Sequence, residues 1–258
     1  MKKQKPHLSC SGIRTFLDCN KKYQYQYLDK INIPKDHSMK YLSFGKSIHK
    51  TLAKFNKIRD QSQRNIDTLH DLLRKNWIRE GYTSIEEERS FGLKGLDMLT
   101  KYYENPKDQG KKILLIEEML SIDLKEYILD GVLDKVYITH DNNLEIIDYK
   151  TGNNMYPLDN LQLPIYLFLS KEKLGVYPNL VSYYFLSHNK KYTREVTKEL
   201  INNLSMDIHN LCTSIIKTKD FHHNSTPYCK SNCQYYQLCS ILNFKCNHSF
   251  NINTKLKN

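Results

Sequence analysis

Gly131-Val132-Leu133-Asp134 and, beyond a polar break at His140–Asn143, Leu144-Glu145-Ile146-Ile147-Asp148-Tyr149-Lys150-Thr151-Gly152 form the stretch whose reading decides the fold. Across 113–150 Ile, Val, Leu and Tyr dominate, and the polar break reads as the turn between antiparallel strands. Each strand runs through apolar residues into an aspartate. A charge placed at the end of a buried strand is costly unless it is used. Asp148 and Lys150 are two apart, so they project from one face. Two carboxylates on neighbouring strands make a hard, oxygen-rich pocket of the kind Mg²⁺ or Mn²⁺ prefers. A lysine beside them can position or activate a water and steady charge developing on a phosphate. Such a site can hydrolyse a phosphodiester. The rival reading is ordinary alternation of charge on the solvent face of a hairpin, which a bare D-x-K often reflects.

Parity sharpens the expectation. Asp134 and Asp148 must share a face to share a metal, so opposed residues must sum to an even number. The loop near His140–Asn143 then needs an odd number of residues, or a bulge must intervene. A regular hairpin with a four-residue loop would put the carboxylates on opposite faces.

Outward from the hairpin the pattern is helical. Residues 9–30 read as one helix, with Ser11 as N-cap and Ile13, Phe16 and Leu17 on a face. Residues 44–59 read as a second, carrying Ile48, Leu52 and Phe55. From 62 to 104 the pattern stays helical, broken at Gly81 and ended by Pro106. Helix returns at 160–174, with Pro164 in the first turn, where its missing N–H is tolerated. Val181–Leu186 reads as a short buried strand, and 195–217 as one amphipathic helix with Val196, Leu200, Leu204, Ile208, Leu211 and Ile215 on a stripe. The order predicts an α/β core, a mixed central sheet flanked by helices, in one domain over 1–258 with a helical insertion at 60–106.

Lys and Arg number 39 against 28 Asp and Glu, a formal net charge of +11. Such an excess favours a polyanionic partner. A Lys-rich proteome explains it equally: Ala53 is the only alanine, while Lys, Asn, Ile and Tyr, with AT-rich codons, abound. The opening MKKQKPHLSC has no apolar segment of a signal peptide, and no apolar run approaches membrane length, so a cytoplasmic, reducing setting is expected. Disulfides are disfavoured there. Yet seven cysteines cluster at the ends: Cys10 and Cys19, then Cys212, Cys229, Cys233, Cys239 and Cys246. Spacings of three, five and six residues along the last four suggest a metal site, with zinc the default from spacing alone.

These segments together resemble the RecB-like branch of the PD-(D/E)xK nucleases, which has a restriction-endonuclease-like core. Gly131-x-x-Asp134 and Asp148-Tyr149-Lys150-Thr151-Gly152 resemble its motifs II and III. Gly45-Lys46-Ser47-Ile48-His49 is similar to its G-x-x-(I/V)-H helix, and Gln162-Leu163-Pro164-Ile165-Tyr166 to its Q-x-x-x-Y motif. Leu8-Ser9-Cys10-Ser11-Gly12-Ile13, followed by Cys19-Asn20-Lys21-Lys22-Tyr23, resembles its start. The resemblance implies that His49, Asp134, Asp148 and the Tyr149 carbonyl bind the metal, that Lys150 is the catalytic lysine, and that Gln162 and Tyr166 orient substrate or site. Glu117 or its neighbour Glu118 would supply a further acid. By likeness to the iron–sulfur-containing branch, which includes AddB-type and CRISPR-associated exonucleases, Cys19, Cys229, Cys233 and Cys239 would hold a [4Fe–4S] cluster. A Cys cluster at 225–246 would thereby close onto the N-terminal helix. Two departures stand out: Cys229 and Cys233 enclose one residue more than the commoner spacing, and Asn20 replaces a proline.

The implied activity is metal-dependent DNA cleavage at single-stranded ends, in repair, recombination, phage or CRISPR-type processing. No G-x-x-x-x-G-K-(S/T) phosphate loop occurs, so a helicase would be a separate partner. Two rivals remain: a catalytically silent fold that only grips DNA, and a zinc-stabilised DNA-binding module.

Overall fold

The computed structural model describes residues 5–31, 33, 39–158, 161–224, 226, 229–230 and 233–241. Two compact units make up the chain: Met1–Cys10 with Lys35–Leu211, and Ser11–Pro34 with Cys212–Asn258.

The first unit holds a six-stranded mixed sheet. Its strands are β1 (His7–Ser9), β2 (Lys112–Asp123), β3 (Ile128–Ile138), β4 (Leu144–Lys150), β5 (Leu180–Phe185) and β6 (Lys190–Glu195). β2 pairs antiparallel along one edge of β3. The other edge is shared: β1 pairs parallel with Ile128–Asp130, and β4 antiparallel with Lys135–Ile138. β5 continues parallel to β4, and β6 antiparallel to β5. The hairpin obeys the parity rule. Five residues, 139–143, join β3 to β4, and Lys135 faces Ile147 while Ile138 faces Leu144. One step further in that register sets Asp134 opposite Asp148.

Three helices of this unit, α3 (Met39–Asn56), α4 (Ile66–Asn76) and α5 (Ile85–Glu104), cover one face. Phe44, Ile48 and Leu52 of α3, Leu69 and Leu73 of α4 and Met98, Leu99 and Tyr102 of α5 form a core with Tyr137, Ile147, Tyr149 and Tyr184 of the sheet. The helical region expected at 62–104 is thus two helices. The break falls at Gly81, whose φ of +90° suits glycine and whose absent Cβ lets it lie against Met39 and Lys40. Helix α6 (Gln162–Leu174) is the crossover that parallel strands β4 and β5 require. Buried through Leu163, Ile165, Tyr166, Leu167, Phe168 and Leu169, it has no wide polar face.

Two expected helices are divided. The first is interrupted at Cys19, which takes extended backbone between α1 (Cys10–Asp18) and α2 (Asn20–Tyr23). A π-helical turn, Gln24–Leu28, follows. The helix expected at 195–217 begins with the end of β6, then becomes α7 (Lys198–Ile201) and α8 (Leu204–Lys217), parted where Asn203 adopts a φ of +65°. β6 was hidden because KKYTRE is an exposed edge strand with no apolar alternation. The last helix among the described residues, α9, spans Tyr236–Ile241. Among the described residues no helix is long and apolar enough to cross a membrane.

Candidate active site

The tetrapeptide 131–134 is the part of β3 paired with neither β1 nor β4. Asp134 therefore stands at a fork, where β3 and β4 part just beyond the Lys135–Ile147 pair. The fork leaves room between two buried carboxylates, Asp134 at 7% and Asp148 at 3% exposure. Neither could persist there unpartnered.

Two clusters meet at this fork. In the first, His49 Nδ1 lies 2.9 Å from Asp134 Oδ1, and the Tyr149 backbone N–H donates to Asp134 Oδ2 at 2.8 Å. The Glu117 carboxylate joins them, so that ligand atoms of His49, Glu117 and Asp134 all lie within 4.8 Å of one another. β2 brings Glu117 there through an unusual backbone. Its neighbours Ile116 and Glu118 face Lys135 and Leu133, which sets Glu117 opposite Asp134, and its φ is +45°. A non-glycine residue at positive φ is strained, and such strain gathers at functional sites. Glu118 instead pairs with Lys173 at 3.4 Å.

In the second cluster Asp148 Oδ2 pairs with the Lys150 ammonium. Gln162 clamps both, donating to Asp148 Oδ1 at 2.8 Å and accepting from Lys150 Nζ at 2.9 Å. Its amide also donates to the Tyr166 hydroxyl at 2.7 Å, one helical turn along. Lys150 Nζ sits 4.4 Å above the Tyr183 ring, a cation–π contact that no local spacing announces. The expected residues His49, Asp134, Asp148, Tyr149, Lys150, Gln162 and Tyr166 are thus brought together. Asp148 lies outside the tight trio. Glu117 resolves the choice between adjacent glutamates that strand alternation alone left open.

Electrostatics match this crowding. Burial opposes charge on His49, but Asp134, by charge and hydrogen bond, with Asp148 and Glu117 behind it, outweighs that and lifts its pKa to about 9. Burial raises Asp148 to about 6, and Asp134 adds to the rise against the opposing pull of Lys150 and His49. Burial, then Asp134, raises Glu117. Three acids pushed together want a cation. Asp148 Oδ2 is buried against the Lys150 ammonium, so this carboxylate too offers its oxygens within the same fork. Oxygen donors with one imidazole fit a hard divalent ion.

In the second unit, Cys19, Cys229, Cys233 and Cys239 form no disulfide among the described residues. Cys19 caps α2, its sulfur accepting from the Lys22 N–H at 3.4 Å. Cys229 Sγ accepts from the Thr226 N–H at 3.3 Å, and the Cys233 N–H donates to the Cys229 carbonyl at 3.1 Å. The two sequence segments of this unit meet here: Asn224 donates to the Asp18 carbonyl at 2.8 Å, and the His222 N–H to Asn20 Oδ1 at 2.6 Å. The Tyr25 ring packs 5.4 Å from that of Tyr235, while its buried hydroxyl has no hydrogen-bond partner among the described residues. Cys246 lies outside the described residues.

Comparison with known proteins agrees with this geometry. Over 171 residues the chain is 26% identical to the CRISPR-associated exonuclease Cas4 of Francisella tularensis subsp. novicida, covering 64% of this chain and 78% of that protein. It is also 26% identical to a subunit of the ATP-dependent helicase/deoxyribonuclease of Carboxydothermus hydrogenoformans, covering 78% of this chain but only 22% of that much longer protein. The fold is shared with a candidate exonuclease from Eubacterium rectale of known crystal structure, at a TM-score of 0.51 and 11% identity over 88% of each chain. The family model of the PD-(D/E)XK nuclease superfamily matches residues 7–240. With a fork of buried acids beside a lysine, and that match over nearly its whole length, the chain belongs to the PD-(D/E)XK nuclease superfamily and is a metal-dependent DNA nuclease.

Proposed function

We propose that this chain is an exonuclease that degrades single-stranded DNA from its ends with Mg²⁺ or Mn²⁺. One observation carries the proposal: the His49–Glu117–Asp134 trio and the Asp148–Lys150–Gln162 cluster share one fork in the sheet. His49, Glu117, Asp134 and Asp148 hold the ion, with the Tyr149 carbonyl. The bound ion supplies Lewis acidity and a more acidic water. Lys150 sets a fixed positive charge where negative charge grows on the phosphate. Gln162 holds that ammonium and the Asp148 carboxylate side by side, and Tyr166 fixes the Gln162 amide. The names of the Cas4 and helicase/deoxyribonuclease relatives favour exonucleolytic DNA processing and a separate helicase partner. An intact set of acids and lysine disfavours a silent DNA-gripping fold.

The same proposal assigns Cys19, Cys229, Cys233 and Cys239 to a [4Fe–4S] cluster that staples the two sequence segments of the second unit. These four cysteines share one small unit with the buried Tyr25 phenol, which has no partner among the described residues, and that set fits a group with sulfur acceptors. Zinc is the rival, and an anaerobic visible spectrum separates a brown cluster from a colourless ion.

The deciding assay is a gel with end-labelled linear single-stranded, linear double-stranded and circular single-stranded DNA in Mn²⁺. Linear single strands should shorten progressively while circles persist. Asp134→Ala, Asp148→Ala and Lys150→Ala should each abolish cleavage in folded protein. Circles cut as fast as linear strands would make it an endonuclease. Parental rates in all three variants would end the site assignment.

A further inference from the structure

Behind the active site, on the face covered by α3–α5, lies a buried polar network that the cleavage chemistry does not use. Asp108, on the connection from α5 to β2, is 1% exposed. Its Oδ2 accepts from Lys135 Nζ at 2.8 Å, from the Tyr102 hydroxyl at 3.2 Å and from the Tyr149 hydroxyl. The Asp108 carbonyl takes a second bond from Lys135 Nζ at 2.8 Å, and Asn56 Oδ1 a third at 3.3 Å. Lys135 is 3% and Tyr149 5% exposed.

The placement is specific. Lys135 is the chain neighbour of Asp134, and Tyr149 stands between Asp148 and Lys150. The ladder between β3 and β4 ends at the Lys135–Ile147 pair, so no ladder hydrogen bond spaces Asp134 from Asp148. One carboxylate grips both strands from behind at that point. On the front, the Tyr149 N–H reaches Asp134 Oδ2. A buried ion pair is a weak stabiliser of a fold, because desolvation offsets the attraction. Its geometric value is larger, since a charged hydrogen-bond network in a dry interior fixes orientation.

We propose that Asp108 is a positioning residue for the nuclease centre. By bridging Lys135 and Tyr149 it holds the fork at the spacing the carboxylates of Asp134 and Asp148 need to share a divalent ion. This role rests on the metal site proposed for the same fork. Partners that orient metal ligands without touching the ion change metal affinity by about 10–100-fold when removed.

The test is Mn²⁺ affinity, read by electron paramagnetic resonance of free Mn²⁺, beside thermal stability. Tyr149→Phe keeps the ring in the core and removes its hydroxyl, which bonds Asp108 and neighbours the Tyr102 hydroxyl bound to the same carboxylate. It should weaken Mn²⁺ binding about tenfold with little change in melting temperature. Asp108→Asn should weaken Mn²⁺ similarly and also destabilise, because Lys135 loses its counter-charge. Adding Lys135→Met removes that stranded cation, so Asp108→Asn/Lys135→Met should regain stability without regaining Mn²⁺ affinity. Parental Mn²⁺ affinity in Tyr149→Phe, or recovery of affinity together with stability in the double variant, overturns the proposal. Asp134→Ala is the control that separates the two readings. If it alone loses Mn²⁺, the metal site stands and the positioning role falls. If it too binds Mn²⁺ at parental affinity, the metal site falls and takes this role with it.

Discussion

Glu117 and Glu118 stand side by side, and only Glu117 reaches the site. On a strand, adjacent residues point to opposite faces, so the sequence narrows the choice to two but cannot make it. The pairing of β2 with β3 decides, including the register shift between Ile113 and Leu115 and the left-handed backbone at Glu117. Glu117→Gln should therefore raise the Mn²⁺ concentration for half-maximal cleavage by about tenfold or more. Glu118→Gln should leave it near the parental value, since its partner Lys173 is exposed. Metal titrations of cleavage rate compare the two, and equal effects would remove Glu117 from the ligand set. Asp134 and Asp148 were legible as charges that end apolar strands, while their shared face waited on the loop length, which the five residues 139–143 decide. Asp108 was not, because its partners lie 27 and 41 residues away in sequence.

At the scale of elements, the glycine of Gly131-x-x-Asp134 has a packing reason. A Cβ there would come 2.4 Å from Leu169 Cδ1 on α6. Leu169 is fully buried, so a shift of that methyl presses on packed neighbours. Gly131→Ala should lower unfolding free energy by about 1–3 kcal/mol in a urea titration. Gly92, inside α5, would meet nothing within 4 Å. Gly92→Ala should instead raise stability by roughly 0.5–1 kcal/mol, by restoring helix propensity. Similar values for both would mean that α6 is not pressed against β3 at this point. Helices α3 and α5 were readable from apolar spacing, and α6 from a return to helical pattern with Pro164 in its first turn. The interruptions at Cys19 and Asn203 were not, since both sit inside runs whose periodicity continues across them.

At the scale of the molecule, sequence position and compact unit do not coincide. The second unit draws on Ser11–Pro34 and Cys212–Asn258, and it contains all four proposed cluster cysteines. The extended backbone that breaks the first helix falls on Cys19 itself, which turns its sulfur onto the α2 N-terminus. Cys19→Ala should lose the visible absorbance and bound iron of the cluster and lower the melting temperature. Cys246→Ala should change neither. Iron retained in Cys19→Ala and lost in Cys246→Ala would hand the fourth place to Cys246 and undo the N-terminal assignment.

The sequence by itself determined the hairpin, the two aspartates that end its apolar strands, the lysine beside them and the superfamily they announce. Each follows from spacing along one strand or helix, where neighbours in sequence are neighbours in space. Tertiary structure alone decided that β1 and β4 divide one edge of β3, leaving 131–134 as an open fork. It alone chose Glu117 and set Asp108 behind Asp134 and Asp148. Those outcomes depend on which distant segments pair and in what register. Register is fixed by the burial of whole faces against α3–α6 and not by any local run of residues.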